Sequence, residues 1–171
     1  MQIRYRTIAE AGLLTALAAV LNLISLAKLP YAGKFSLEML PIFILSYRQG
    51  PKFGACAGAC LGMIILFIDP YVVHPVQFIL DYPLPHILVG LSGIFRKNIY
   101  LGITFGGMGR FFSHFISGII FFAAFTPQGT TVWLYSLLYN GSYILPQIIA
   151  SLILVPLIIK RLDKISPRLP Q

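Results

Sequence analysis

Long apolar runs separated by short polar breaks dominate the chain, and no polar stretch between them is long enough to fold by itself. Six runs can be drawn, at residues 5–27, 37–47, 53–68, 76–95, 99–124 and 132–159. Most approach the roughly 20 apolar residues with which a helix crosses a bilayer. The pattern therefore predicts an all-α membrane protein, with residues 1–171 forming a single bundle of six transmembrane helices. The breaks carry turn signals: Pro30 and Gly33 after the first run, "RQGPK" (48–52) after the second, "DPYVVHP" (69–75) after the third and "FTPQGTT" (125–131) after the fifth. The first run follows Arg4 and Arg6, is too long for a signal core and has no clear cleavage site, so it is read as a span. The second run is too short to cross about 30 Å upright. A span that starts inside one leaflet would leave a pocket open to the outside.

Charge refines this picture. The net charge of +8 raises the question of nucleic acid, but the basic residues sit in the breaks and at the ends. Arg4, Arg6, Arg48, Lys52, Arg96, Lys97, Lys160, Arg161, Lys164 and Arg168 fall on one side, against Lys28 and Lys34 on the other. That asymmetry predicts both termini in the cytoplasm and a lipid bilayer, with no nucleic acid, as the surrounding partner. Cys56 and Cys60 lie four apart in a Gly/Ala-rich run without neighbouring His or Asp, and are read as small packing residues.

Polar residues inside the runs carry the candidate chemistry, because an ionisable group in hydrocarbon costs several kcal/mol or is paired or functional. Arg110, His114 and Gly118 are spaced by four and share one face of the fifth span. Arg110 suits a structural ion pair or a cap as well as a ligand contact, and His114 suits a satisfied interhelical hydrogen bond as well as a site. Asp81 lies several residues into the fourth span, one turn after Gln77 and beside Tyr82. It requires a counter-charge, either a protein cation such as Arg110 or a cationic ligand. Pro83 and Pro85 follow at once, removing backbone donors and breaking the helix as a cavity wall would. "TTVWLYSLLYNGSYILP" (130–146) is rich in tyrosine and carries Trp133, Tyr135 and Asn140. Trp133 and some tyrosines fit an interfacial belt, which does not explain Asn140. Tyr135 and Asn140 are about 140° apart on an ideal helix. They share a pocket only if the helix starts irregularly or a ligand wraps its end.

A carboxylate, an imidazole, an amide and several rings suit a small, flat, cationic heteroaromatic molecule, held by neutralisation, stacking and cation–π attraction. No serine–histidine–acid order, HExxH, Walker A or metal-ligand cluster is present, so no catalytic residue, cofactor or metal is expected. In the first span Gly12 and Ala16 make a small-residue face, suited to packing within the bundle or to docking another subunit.

The runs "ILDYPL" (79–84) and "GRFFSHFISGIIFFAAFTPQGTTVWLYSLLYNGSYILP" (109–146) resemble the thiamine-specific substrate-binding subunit, the S-component, of energy-coupling factor transporters. "EMLPIFILSYRQGPKFG" (38–54) is similar to that family's second-span region, so the resemblance covers nearly the whole chain. It implies thiamine contacts at Asp81 and Tyr82, at His114, Gly118 and Phe122, at Tyr135 and Asn140, and at Tyr71 in the third loop. Three positions depart from the pattern: Asp81 stands where some members have Glu, Phe122 where Trp is frequent, and Lys34 where some members place a first-loop Trp. The resemblance also implies a mechanism. The bundle would capture thiamine outside a prokaryotic cell membrane and dock, through the Gly12/Ala16 helix, on a membrane coupling subunit with two cytoplasmic ATPases. ATP hydrolysis would belong to those partners. The alternatives are an S-component for another small vitamin and an intramembrane enzyme using Asp81 and His114 as acid and base.

Overall fold

A helix that is apolar on every side has no face to offer its surroundings and is pulled inside. The second run behaves this way. It forms α2 (Met39–Gln49), in which every residue from Met39 to Arg48 is buried. α1 (Tyr5–Leu23), α3 (Pro51–Ile68), α5 (Pro83–Gly90) and α7 (Val132–Ile165) pack around it. The fourth run is divided into α4 (Pro75–Asp81), α5 and a 3-10 turn at Leu91–Phe95, and α6 (Ile99–Phe121) packs between α5 and α7. A computed structural model describes residues 5–24, 27–28 and 34–165. The expectations for Arg4, Pro30, Gly33 and Arg168 lie outside the described residues.

Among the described residues, four segments are both long and apolar enough to cross a membrane: Tyr5–Leu23, Pro51–Ile68, Pro75–Phe95 and Val132–Ile165. α6 has 23 residues but carries Arg110 and His114 in its middle. α2 has 11 residues, about 16 Å at 1.5 Å per residue, so it fills only part of the depth. Several boundaries differ from those drawn on the sequence. The first run stops being helical at Leu23, and its last residue pairs instead in a two-stranded ribbon, β1 (Ala27–Lys28) with β2 (Lys34–Phe35). α6 ends at Phe121 because Ala123–Phe125 tightens into a 3-10 turn, and α7 continues past 159 to Ile165.

Close packing is achieved with glycine. Gly54, Gly58 and Gly62 recur every fourth residue on α3, and a Cβ at any of them would collide with the backbone of Gly90, His86 or Tyr82. The two backbones touch along this seam, as small-residue stripes permit in a membrane. Cys56 and Cys60 were expected to pack, but both are exposed: they fall outside the seam, which the glycines occupy. Between α2 and α3, Gly50 takes φ 103°, which favours glycine, and Pro51 opens the next helix.

Both ends of α2 carry a charge that is paired. At its C-terminal end Arg48 bonds to Glu10 of α1 and, at 3.2 Å, to Asp163 of α7, while Gln49 donates to the same Glu10 at 2.6 Å. Arg48 is buried, so this residue, read from sequence as a topology signal, also joins three helices. At the other end Glu38 pairs with Arg110 and receives the Asn22 amide. Arg110 therefore has its counter-charge on α2, and the alternative of an Asp81–Arg110 pair is overturned.

Candidate functional site

Because α2 begins only at the depth of Arg110, the bundle between that point and the 69–75 loop is not filled by a central helix. A cavity of about 690 Å³ occupies this region. Arg110 and Asn22 lie at its α2 end, and Asp69 and Tyr71 of the loop at the other. Asp81, Tyr82, His114, Gly118, Phe122, Tyr135, Asn140 and Tyr71 all line it. The structure thus brings together every residue singled out for ligand contact.

The broken fourth run presents the carboxylate. Pro83 and Pro85 cannot donate backbone hydrogen bonds, so α4 ends at Asp81 and α5 restarts at Pro83. The carbonyls near the break find other donors: Leu80 O accepts from Ser113 Oγ at 2.6 Å, and Tyr82 O lies 2.6 Å from His86 Nδ1. A carbonyl only accepts, so His86 carries a proton on Nδ1 and turns Nε2 elsewhere. That nitrogen has no hydrogen-bond partner among the described residues.

Asp81 divides its two oxygens. Oδ2 accepts from Gln77 Nε2 at 2.6 Å, and Oδ1 lies 3.3 Å from His114 Nδ1. No lysine or arginine pairs with it among the described residues. His114 and Asp81 are both largely buried, at 14% and 16% side-chain exposure, yet both reach the cavity. With Nδ1 turned to the carboxylate, His114 Nε2 has no hydrogen-bond partner among the described residues.

Tyr82 lines the cavity as expected of a ligand contact, while its hydroxyl is turned to the loop. Its Oη accepts from Tyr71 N at 2.9 Å and donates toward Asp69 O at 3.0 Å, so the phenol ties down the 69–75 loop. The loop is also clasped by stacking, Tyr71 on Phe122 at 5.7 Å and His74 on Phe121 at 5.1 Å. His74 Nδ1 caps α4 by accepting from Val76 N.

α7 supplies the opposite wall. It is regular from Val132, so an irregular start does not explain how Tyr135 and Asn140 share the site. Tyr139, Tyr143 and Ser136 fill the arc between them, at about 40°, 80° and 100° from Tyr135 on an ideal helix. The cavity thus wraps about 140° of α7. Tyr135, Tyr139 and Tyr143 form a ladder with ring centroids 6.1 and 5.9 Å apart. Asn140 is fixed from both ends: Nδ2 donates to Ser136 O at 2.9 Å, and Oδ1 accepts from Tyr143 Oη at 3.0 Å. Gly118 is where α6 and α7 meet, since a Cβ there would strike Ser136 Oγ.

Sequence reasoning left Glu38, Asn22, His86, Tyr139 and Tyr143 unassigned. The tyrosines had a readable signal, their i, i+4 spacing with Tyr135. Glu38 had one too: an acid opening a short buried run needs a cation. Lys34 is exposed on β2 and does not line the cavity; its carbonyl accepts from Gln147.

Residues 8–166 match the family described as "Thiamine transporter protein (Thia_YuaJ)". A protein named thiamine transporter ThiT from Bacillus subtilis (strain 168) is 33% identical, covering 94% of this chain and 91% of its own length. Another of that name, from Lacticaseibacillus paracasei, is 32% identical over 86% of this chain and 84% of its own. A solved structure of ThiT from Listeria monocytogenes superposes with a TM-score of 0.78 at 28% identity, covering 94% of both chains.

Proposed function

The chain belongs to the thiamine transporter protein family, and from that premise we propose that it binds thiamine in the cavity between α4, α6 and α7 as the S-component of an energy-coupling factor transporter. The observation that carries this reading is Asp81: a carboxylate at a cavity wall whose partners are an amide and an imidazole, with no ammonium or guanidinium among the described residues to neutralise it. A fixed cation such as a thiazolium supplies that charge. Tyr71, Phe122 and the tyrosine ladder offer π faces to both rings of the ligand, and His114 Nε2 and Asn140 read its donors and acceptors. Arg110 keeps its charge to itself by pairing with Glu38, so it does not repel the cation at full strength.

Uptake places the cavity toward the outside, both termini in the cytoplasm, and the 1–171 chain as one domain in a prokaryotic cell membrane. Gly12 is exposed with open space around its Cα, and Ala16 on the same face is exposed as well, so α1 keeps a smooth surface for a coupling subunit. Two ATPases bound to that subunit would supply the energy. Isothermal titration of the detergent-purified protein with thiamine, beside other small vitamins, tests the reading. Saturable heat with thiamine at one site is expected; heat only with another vitamin reassigns the ligand, and chemical conversion of thiamine by the isolated chain would make it an enzyme.

A further inference from the structure

The amide of Gln77 is fully buried at the cavity wall, and each of its polar groups is engaged. One N–H of Nε2 donates to Asp81 Oδ2 at 2.6 Å and the other to Tyr71 O at 3.1 Å. Oε1 accepts from Val73 N at 3.1 Å. The side chain has no donor left for a ligand, although it lies beside one. Its three partners belong to two parts of the site, the carboxylate on the last turn of α4 and the loop whose ring stacks on Phe122, which are joined besides only by the Tyr82 phenol next in sequence to Asp81 and by the chain itself. Without Gln77, Asp81 would have only His114 to orient it, and Tyr71 only the Tyr82 phenol and its stack.

We propose that Gln77 is a positioning residue that holds the Asp81 carboxylate and the Tyr71 loop in one geometry, so that recognition of the cation and closure of the aromatic wall are set together. The proposal rests on the thiamine reading. Two bonds to one rigid amide fix the distance between the carboxylate and the loop. A cation drawn to Asp81 therefore meets Tyr71 already in place, and the ordering cost of the loop is met in the ligand-free protein.

The test uses the full chain with Gln77→Leu, and with unbranched Gln77→Met if the leucine variant does not fold. Thiamine affinity is measured by titration. Loop order is measured without ligand, from a nitroxide on Val72→Cys in a Cys56→Ala/Cys60→Ala background, with a control label on Tyr100→Cys. Expected are a loss of affinity of about 10- to 100-fold, the scale of a charge-assisted hydrogen bond and its linked loop, and a rise in label mobility at position 72 but not at 100. Unchanged affinity overturns the proposal, as does lost affinity with an unmoved loop label. If the parent protein takes no thiamine, the functional reading falls, and an unmoved label at position 72 overturns Gln77's hold on the loop independently.

Discussion

Two acids of this apolar bundle, Glu38 fully buried and Asp81 largely buried at the cavity wall, are partnered in opposite ways. Glu38 faces Arg110 and receives the Asn22 amide, so its charge is matched by a formal opposite charge and a donor. Asp81 has a donor in Gln77 and an imidazole in His114, but no lysine or arginine beside it among the described residues. A carboxylate is costly in a low-dielectric interior unless paired. The protein meets that cost internally at Glu38 and leaves it to be met at Asp81. In the proposed site the first acid therefore serves stability and the second recognition, although the residues they contact line the same cavity.

The largest expected effect tests the first half of this contrast. Glu38→Gln leaves the Arg110 guanidinium buried without its counter-charge, and breaking such a pair costs about 3–5 kcal/mol. Denaturation of the detergent-purified protein should show that loss without any ligand present. A loss below about 1 kcal/mol would mean that water in the cavity already carries the arginine. Asp81→Asn tests the second half. Thiamine affinity should fall well over tenfold, since a desolvated charge contact is worth about 2–5 kcal/mol, while the ligand-free protein unfolds no more easily than the parent. Full affinity in a folded Asp81→Asn protein would remove Asp81 from the site. If the two substitutions instead gave the same profile, the division between structural and recognising acid would be wrong.

A third, smaller effect concerns the scaffold behind the carboxylate. Gly58 packs against the backbone of His86, so Gly58→Ala should destabilise by about 1–3 kcal/mol, as overpacking does, and shift α5 under Tyr82. Gly12→Ala meets nothing within 4 Å and should leave stability level or raise it by up to about 1 kcal/mol through helix propensity, so the pair separates a packing glycine from an exposed one. Equal melting behaviour of the two variants would show that the α3–α5 seam yields without cost.

The contrast between the acids was only half legible in the chain. Asp81 could be found because an acid followed by Pro83 and Pro85 interrupts an apolar run, a signal confined to a few neighbouring residues. Glu38 could not be matched to Arg110, because the partners are 72 positions apart and nothing local links them. Helix-period reasoning found His114 and Gly118 on one face, and it let Tyr135 and Asn140 share a pocket only if the helix began irregularly or a ligand wrapped its end. A pairwise angle does not reveal how much of a helix a cavity covers. The small-residue run on α3 was visible, but which residues pack depended on the register against α5, so glycine took the seam and cysteine the outside.

The smallest expected effect lies at the rim, where recognition is shared among several rings. Phe122 stacks on Tyr71 at 5.7 Å and lies 6.0 Å from Phe125, so in the proposed site its face is one of several offered to a heteroaromatic cation. Phe122→Trp enlarges that face and strengthens its quadrupole, a gain of about 0.5–1 kcal/mol where the cation is partly solvated. Titration should therefore show thiamine binding unchanged or tightened a few-fold. A loss beyond tenfold would mean that Tyr71 and Phe125 leave no room for an indole, making this wall a shape filter rather than a stacking platform. The expected outcome differs from that at Asp81, where no neighbouring residue can replace the missing charge, because redundancy is available to rings and not to a lone carboxylate.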